Sequence, residues 1–280
     1  MNKTKIEWIK NPDGTQGYTW NPITGCLNGC EYCYARKLAS GRLKWRYLAN
    51  QNVAPVNEQY LIGFNTEYKA ETDPFYPRFW EDRLGDIPLK PPKGIFVCDM
   101  GELFGSWLPR DWQDRVFAII RGNPQHRFYL LTKQPQNLIK FSPFPDNCWV
   151  GVTATSHQMF VEGCLLLGDI KASVKYISVE PLLSWGDYPA DKTAIEQWAK
   201  GLTLYGIGWV IIGAQTKPYK PPKIEWVEEI VLACDKAGVP VFLKDNLEPL
   251  LHGKEPFVGA IDIYPDDKTY ELKLRQEMPK

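Results

Sequence analysis

Residues 94–131, GIFVCDMGELFGSWLPRDWQDRVFAIIRGNPQHRFYLL, contain the pattern that decides the fold. Two short apolar runs, Gly94–Cys98 and Arg127–Leu131, flank the segment Arg110–Arg121, in which apolar residues recur at helical spacing. Short runs rich in β-branched and aromatic residues and almost entirely apolar are typical of strands buried on both faces, as in a parallel sheet. The stretch therefore predicts a strand–helix–strand unit with parallel strands.

The same alternation continues along the chain. Four further apolar runs predict buried strands: Cys148–Val152, Val174–Val179, Gly208–Ile212 and Val239–Leu243. The segment Lys223–Ala237 predicts the clearest helix, because its apolar residues form one stripe and Gly238 follows as a C-terminal cap. We therefore expect an α/β fold built from βαβ units.

Two parts of the chain fit this alternation poorly. Residues 38–93 contain a predicted helix near Arg36–Asn50 and then a stretch rich in proline and aromatic residues, which we interpret as an insertion packed on the main domain rather than a linker. Residues 257–274 predict a terminal hairpin with its turn at Pro265–Lys268. We expect one main domain over residues 1–250, which includes the insertion, and a small C-terminal extension over residues 251–280.

The composition indicates a folded, soluble protein. The 33 Lys and Arg residues balance 33 Asp and Glu residues, so no overall charge attracts the chain to nucleic acid or to membranes. Arg36–Arg46 is the best candidate for a local basic surface, although a solvated helix face is the simpler interpretation. No run approaches the roughly 18 apolar residues of a membrane span, and the N-terminus has no apolar signal region. We expect a cytoplasmic protein without a membrane partner.

Polar residues follow each predicted strand. They are Asp99, Glu102, Thr132, Lys133, Thr153, Thr155, Ser156, Glu180, Gln215, Thr216, Lys244, Asp245 and Asn246. Ligands of parallel α/β folds bind at the carboxyl ends of the strands, so these side chains predict a shared site. The simpler interpretation is that loops are polar in any protein.

Three of the seven cysteines are crowded into one loop. Within residues 19–37, TWNPITGCLNGCEYCYARK, Cys26, Cys30 and Cys33 follow the pattern Cys-x3-Cys-x2-Cys. Three thiolates can hold three corners of a [4Fe–4S] cluster and leave one iron without a protein ligand. The other four cysteines, Cys98, Cys148, Cys164 and Cys234, stand singly in apolar surroundings and are expected to be buried small hydrophobic residues.

Zinc is the alternative metal for this loop, and plain structural cysteines are a third interpretation. A structural zinc site has four ligands, usually in two separated pairs. No second Cys-x2-Cys pair occurs, and His126, His157 and His252 are all distant in sequence. The pattern favours the cluster.

The cysteine loop, with Tyr32 before its last cysteine, resembles the radical S-adenosylmethionine (SAM) superfamily. The longer string TWNPITGC…GCEYCYARK is similar to the phage-associated Gp37/Gp68 group (DUF5131), a family of unknown function. Further similar strings extend to about residue 247: PRFWEDRLGDIPLKPPKGIFVCDMGELFG, RFYLLTKQPQNL, WVGVTATSHQ, YISVEPLL, GWVIIGAQT and VPVFLKDNL. Many members of that group have a longer gap between the first two cysteines, whereas this chain has the standard radical SAM spacing.

The resemblance implies a partial TIM-type (βα)6 barrel, in which Tyr18–Gly25 is the first strand and Gly94–Cys98 the second. It also implies a [4Fe–4S] cluster on Cys26, Cys30 and Cys33, with SAM bound to the open iron. Reductive cleavage of SAM would give a 5′-deoxyadenosyl radical that abstracts hydrogen from an unknown substrate. The electron would come from an external donor such as flavodoxin or ferredoxin.

The resemblance further suggests which residues bind SAM. The segment Met100, Gly101 and Glu102 would receive the SAM amino group, although Glu102 could instead cap a following helix. The other SAM contacts it suggests are Thr153, Thr155 and Ser156, then Ser178 and Glu180, and finally Gly213 and Gln215 next to adenine.

Three residues are candidates for work on the substrate. Lys133 and Lys244 could bind an anion, or each could form a structural ion pair with Glu180, Asp99 or Asp245. Cys98 could donate a hydrogen atom, or it could be a buried packing residue.

The substrate class stays open at this point. The phage association suggests modification or repair of a nucleotide or nucleic acid, for which the photoproduct lyases are a comparable chemistry, and peptide modification is the other possibility. The alternative from a different class is a non-catalytic binding module, stabilised by zinc or a cluster, that serves a partner protein.

Overall fold

Short parallel strands with buried side chains dominate the computed structural model. The structure describes residues 1–55, 70–186, 192–252, 260–266 and 269–279; within residues 252–272 it describes the backbone alone. The chain forms two compact units, Met1–Trp149 and Val150–Lys280. Both units combine helices with a mostly parallel sheet, which confirms the predicted α/β class. In neither unit do the described strands close into a barrel.

The first unit contains the cysteine loop. Its strands are β1 (Asn2–Lys3), β2 (Tyr18–Trp20), β3 (Ile23–Thr24), β4 (Arg78–Phe79), β5 (Gly94–Val97) and β6 (Arg127–Thr132). Strand β2 pairs antiparallel with β1 and parallel with β5, and β5 pairs parallel with β6. Strands β3 and β4 form a separate antiparallel pair. The helices are α1 (Tyr34–Ser40), α2 (Lys44–Leu48) and α3 (Arg110–Gly122), with 3-10 turns at Glu81–Asp86 and Pro135–Phe141.

The second unit continues the strand–helix alternation. Its strands are β7 (Cys148–Thr153, which begins in the first unit), β8 (Val174–Val179), β9 (Trp209–Ile212), β10 (Gln215–Thr216), β11 (Tyr219–Lys220), β12 (Val241–Leu243), β13 (Ala260–Asp266) and β14 (Thr269–Leu274). The main strands lie in the order β7, β8, β9 and β12, and β9 is parallel to both of its neighbours. The pairs β10–β11 and β13–β14 are antiparallel. The helices are α4 (His157–Gly168), α5 (Lys192–Leu204) and α6 (Ile224–Ala237), followed by a 3-10 helix at Asp245–His252.

All six apolar runs form strands, as predicted, to within two residues at each end. Strands β5, β7, β9 and β12 are buried along their whole length, which is why their sequences lack the alternation of half-buried strands. Helix α6 ends at Gly238, whose φ of +67° is the left-handed conformation expected of a glycine cap. Among the described helices, none has the length and apolar character needed to cross a bilayer.

Two expected elements are divided in the structure. The predicted first strand, Tyr18–Gly25, is interrupted between β2 and β3 by Asn21 and Pro22, and proline cannot donate to a strand ladder. The single helix expected near Arg36–Asn50 is two helices that break at Gly41.

The domain boundary expected at residue 250, the partial barrel and the extension stay predictions. The predicted terminal hairpin is present as β13 and β14, but residues 267 and 268 of its turn lie outside the described part. Residues 56–69 of the insertion lie outside it too.

The described parts of the insertion are organised around Arg78, which is only 1% exposed. Its guanidinium donates hydrogen bonds to the carbonyls of Asn50 at 3.1 Å, Ala70 at 2.8 Å, Asp73 at 3.0 Å and Tyr76 at 2.8 Å. Burial lowers the pKa of Arg78, and the nearby charge of Asp73 opposes that effect. One buried cation therefore fixes several turns that have no regular secondary structure of their own.

We expect the substitution Arg78→Met to lower the free energy of unfolding by about 3 kcal/mol or more, because several buried carbonyls lose their donor together. The urea midpoint of the full chain measures this loss. Arg78→Lys keeps the charge but not the planar fork, so its loss should be intermediate. A Met variant with the midpoint of the wild type would contradict this role.

Candidate functional site

The cysteine loop leaves strand β3 through a glycine that no other residue can replace without strain. Gly25 has a φ of +89°, and a Cβ added to it would lie 2.5 Å from the carbonyl oxygen of Tyr76. Both the conformation and the close approach require glycine. The loop ends at Cys33, whose sulfur caps helix α1 by accepting a hydrogen bond from the Arg36 backbone amide at 3.3 Å.

The three thiols of the loop are unbridged and partly exposed. The Cys26 sulfur accepts a hydrogen bond from the Asn28 backbone amide at 3.4 Å. Cys26 and Cys33 pack against the same buried apolar cluster, which includes Phe75 and Met100. Desolvation by the surrounding protein raises the pKa of the Cys26 thiol, and the negative charge of Glu102 raises it further. Within the described part of the chain, no three or more His, Cys, Asp or Glu side chains are grouped so that they could hold a metal ion.

The segment after strand β5 lies directly beside the cysteine loop. The Gly25 amide donates to the Met100 carbonyl at 2.9 Å, and Gly25 and Gly101 form a parallel bridge. A Cβ on Gly101 would lie 3.0 Å from the Ile23 carbonyl oxygen. The absence of a side chain at Gly101 thus serves the contact between these two backbones.

The Glu102 carboxylate connects three loops. It is 4% exposed, and its Oε1 accepts hydrogen bonds from the Thr132 hydroxyl at 2.6 Å and the Phe104 amide at 3.1 Å. Its Oε2 accepts from the Lys133 amide at 3.0 Å and from the Asn28 side chain at 3.3 Å. Burial raises the pKa of Glu102, and these hydrogen bonds oppose the rise. Four donors match the roughly four lone-pair positions of a carboxylate.

Asn28 extends this network across the loop. Its Oδ1 accepts a hydrogen bond from the Gln134 side chain at 2.6 Å, while its own amide donates to Glu102. The Lys133 ammonium lies 5.9 Å from the centroid of the Tyr32 ring. The sequence did not predict that Asn28 and Gln134 belong to this site. The one available signal was the position of Asn28 between Cys26 and Cys30.

Cys98 and Asp99 lie at the end of strand β5. Cys98 has a φ of +59° and is buried, and burial raises the pKa of its thiol. Asp99 accepts hydrogen bonds from the Asn21 side chain at 2.6 Å and, at its backbone carbonyl, from the Tyr34 hydroxyl at 2.8 Å. Burial raises the pKa of Asp99, and the hydrogen bonds of its carboxyl group oppose the rise.

In the second unit, Lys244 after β12 forms an ion pair with Glu180 after β8. Lys244 is 9% exposed. Gly213, after β9, lies against this pair: an added Cβ would be 3.0 Å from the Lys244 side chain and 3.1 Å from that of Glu180. The sequence allowed two interpretations of Lys244, an anion-binding residue or a member of a structural ion pair. The structure contains the ion pair, with Glu180 as the partner.

The other predicted residues of the second unit have local partners. Thr153 and Ser178 are buried. The Thr155 hydroxyl contacts the Met159 sulfur at 3.3 Å, and Ser156 caps helix α4. The Gln215 side chain donates to the Pro218 carbonyl at 3.0 Å. The roles predicted for these residues in SAM binding stay predictions.

Within the first unit, the cysteines, the Met100–Glu102 segment, Cys98 and Lys133 thus share neighbouring loops. Within the second unit, Glu180, Gly213 and Lys244 are in contact.

A family model described as "Protein of unknown function (DUF5131)" matches residues 3–250. The chain belongs to the DUF5131 family. This confirms one resemblance expected from the sequence, while the phage Gp37/Gp68 association stays a prediction.

No curated protein sequence matches this family member. Two solved structures are similar to it, each over 98% of the chain at 9% identity. They are "Spore photoproduct lyase complexed with dinucleoside spore photoproduct", with a TM-score of 0.44 and 71% of that chain covered, and a mutant of spore photoproduct lyase, with 0.43 and 73%. Values of this size assign neither a substrate nor a residue role to the present chain.

We expect Asn28→Ala and Gln134→Ala each to lower the free energy of unfolding by about 1 kcal/mol, because both break the hydrogen bond that joins these side chains. Since that bond is shared, the double variant should lose at least about 0.5 kcal/mol less than the sum. Urea unfolding measures all three. Gln51→Ala removes an exposed glutamine of the same unit that donates to the nearby Leu48 carbonyl, away from this network, so it should add to Asn28→Ala without coupling. Strict additivity of the first pair would refute the network.

Replacing one partner of the second unit's ion pair should lower the free energy of unfolding more than replacing both partners. Lys244→Met should lower the free energy of unfolding by about 2 kcal/mol, because it leaves the Glu180 carboxylate partly buried without its partner. The double variant Lys244→Met/Glu180→Met should recover at least half of that loss. Thermal unfolding of the full chain checks both, and a single variant as stable as the wild type would show that the pair contributes nothing.

Proposed function

We propose that this protein is a radical SAM enzyme in which Cys26, Cys30 and Cys33 hold a [4Fe–4S] cluster. The observation that carries the proposal is the combination of a Cys-x3-Cys-x2-Cys loop with its position. The loop comes after the first parallel strand, β2, and the short strand β3, and its backbone is hydrogen-bonded to the segment that follows the second parallel strand, β5. Ligands of parallel α/β folds bind at these strand ends.

The chemistry and spacing of the donors in the loop fit such a cluster, and the three thiols would have to converge on it, because among the described residues they are not grouped closely enough to hold a metal ion. Three unbridged thiols within eight residues match three corners of a cubane, each thiolate binding a different iron. Backbone amides already donate to the sulfurs of Cys26 and Cys33. Hydrogen bonds to sulfur and limited solvent exposure are the main means by which a protein sets the reduction potential of an iron–sulfur cluster.

When bound, the cluster would supply the electron for reductive cleavage of SAM, the chemistry that would allow hydrogen abstraction from a substrate. The chain's own residues hold the reactants in place. Glu102, through Asn28, keeps the cysteine loop against the ends of β5 and β6. Met100 and Gly101 would present backbone to the SAM amino group, beside the buried carboxylate of Glu102.

The remaining roles belong to the same proposal. The SAM contacts proposed in the second unit are Thr153, Thr155, Ser178, Glu180, Gly213 and Gln215, and the proposed fold is a partial (βα)6 barrel. Lys133 would bind an anionic group of the substrate, and Cys98 would be the hydrogen donor. Lys244 would bind such a group only by exchanging it for its present partner, Glu180. We propose a nucleotide or nucleic acid as the substrate and flavodoxin or ferredoxin as the electron donor, in the cytoplasm.

The test is anaerobic purification with cluster reconstitution, followed by iron and sulfide analysis and incubation with dithionite and SAM. We expect about four irons per chain and the formation of 5′-deoxyadenosine. Cys30→Ala should abolish both. The variant leaves only two thiolates to hold the cluster and two irons without a protein ligand, so the cluster should be lost.

Cys164→Ala is the matched control, since it removes a buried cysteine that lies outside the loop. It should retain iron and SAM cleavage. Stoichiometric zinc with no SAM cleavage after reconstitution would refute the proposal and favour a binding module with a structural metal.

A further inference from the structure

Helix α2 buries one face and leaves a tryptophan on the other. Leu43, just before the helix, and Tyr47 pack into the apolar cluster beneath the cysteine loop. Trp45 lies midway between them in sequence, which places it on the opposite side of the helix. It is 77% exposed, and the Lys44 ammonium lies 5.1 Å from the centroid of its ring. The packing of α2 is therefore complete without the indole.

The surroundings of Trp45 are basic. Residues 34–50 contain no Asp or Glu but five cations: Arg36, Lys37, Arg42, Lys44 and Arg46. We call Arg42, Lys44, Trp45 and Arg46 the basic patch. All four lie within five consecutive residues, and both arginines and Trp45 are exposed.

A further arginine, Arg83, lies close to the patch. The guanidinium groups of Arg46 and Arg83 lie 5.9 Å and 3.8 Å from the centroid of the same Trp80 ring. Burial is the main cause that lowers the pKa of Arg83, and the charge of Arg46 adds to it. The charges of Asp82 and Asp86 also act on Arg83. The positive charge of the patch therefore rests on residues 42–46, in a stretch without acidic residues, although the whole chain is neutral.

Exposure alone does not distinguish Trp45, because single exposed apolar residues are common. Leu89 is equally exposed, at 78%, and also stands next to a lysine. The difference is chemical: an indole has a π-face on which a base can stack, and leucine has none. Cations that can neutralise phosphates, placed around a stacking surface, are the combination by which proteins hold unpaired nucleic acid strands.

We propose that the basic patch binds single-stranded nucleic acid, with Arg42, Lys44 and Arg46 at the phosphates and Trp45 stacked on an unpaired base. Helix α1, about 10 Å long, begins directly after Cys33 and leads to the patch. A bound strand would thus lie on the same unit as the cysteine loop. The proposal names the substrate class of the proposed enzyme and rests on that function to this extent, but binding itself requires neither cluster nor SAM.

The test is fluorescence anisotropy of the full chain with labelled oligonucleotides of about 15 nucleotides, as single-stranded DNA, single-stranded RNA and duplex DNA. Inorganic polyphosphate serves as a base-free competitor. We expect either single strand to bind more tightly than the duplex, and affinity to fall with salt with a logarithmic slope of about −2 for three phosphate contacts. Polyphosphate should compete poorly.

The variants separate stacking from charge. Trp45→Ala should weaken binding at least about fivefold with the salt slope unchanged, and Trp45→Phe should recover part of the loss. Lys44→Gln/Arg46→Gln should reduce the steepness of the slope by about 1.4. Leu89→Ala and Lys3→Gln/Lys5→Gln remove comparable apolar surface and charge elsewhere in the first unit, and both should bind as the wild type does.

Three outcomes would overturn the proposal: no binding of single strands, equal binding of duplex or polyphosphate, or controls as damaging as the patch variants. Running each titration on chain with and without reconstituted cluster keeps the two hypotheses apart. Binding without SAM cleavage refutes only the enzyme, and SAM cleavage without binding refutes only the patch.

Discussion

The buried guanidinium of Arg78 is the constraint on which the geometry of the cysteine loop depends. Between Gly25 and Cys33 the loop has no regular secondary structure, so neighbouring backbone must hold it in place. The Cys26 amide donates to the Phe75 carbonyl at 3.0 Å, and Tyr76 packs against Gly25. Both neighbours belong to a turn whose carbonyls converge on Arg78. Burying a cation is costly, and here several carbonyl acceptors offset that cost.

A second arginine joins this turn to helix α1. Arg36 forms an ion pair with Asp73 at 3.0 Å and donates to the Cys26 carbonyl at 3.3 Å. Asp73 in turn accepts a hydrogen bond from the Phe75 amide at 2.8 Å. The loop is thus fixed at its start by the turn and at its end by the helix, and the three cysteines lie on a surface determined by residues far away in sequence.

The fold was predictable where the signal is local. An apolar run such as Val174–Val179 is a strand because it is buried on both faces, and that property is written in the run itself. The division of Tyr18–Gly25 was not predictable. Asn21 leaves the strand to bond with Asp99 and with the Met100 amide, 78 and 79 residues away, and no local pattern reports contacts at that distance. The site shows the same contrast. The spacing of the three thiols predicts a cluster-binding loop from sequence alone. The amides of Asn28 and Gln134 are indistinguishable in sequence from ordinary loop residues, and only the tertiary structure brings them together.

A chain with no net charge can still have a basic surface, because net charge acts over long distances whereas a local patch acts only over short ones. At physiological ionic strength, charges are screened over about 8 Å, so a bound phosphate responds to the few side chains nearest to it. Asp73 pairs with Arg36, which lies in the stretch 34–50 but outside the basic patch, and Glu81 pairs with Arg115. The stretch 34–50 has no acid of its own to balance its cations. Net charge therefore governs long-range attraction, while recognition at α2 depends on charges placed within one screening length of Trp45.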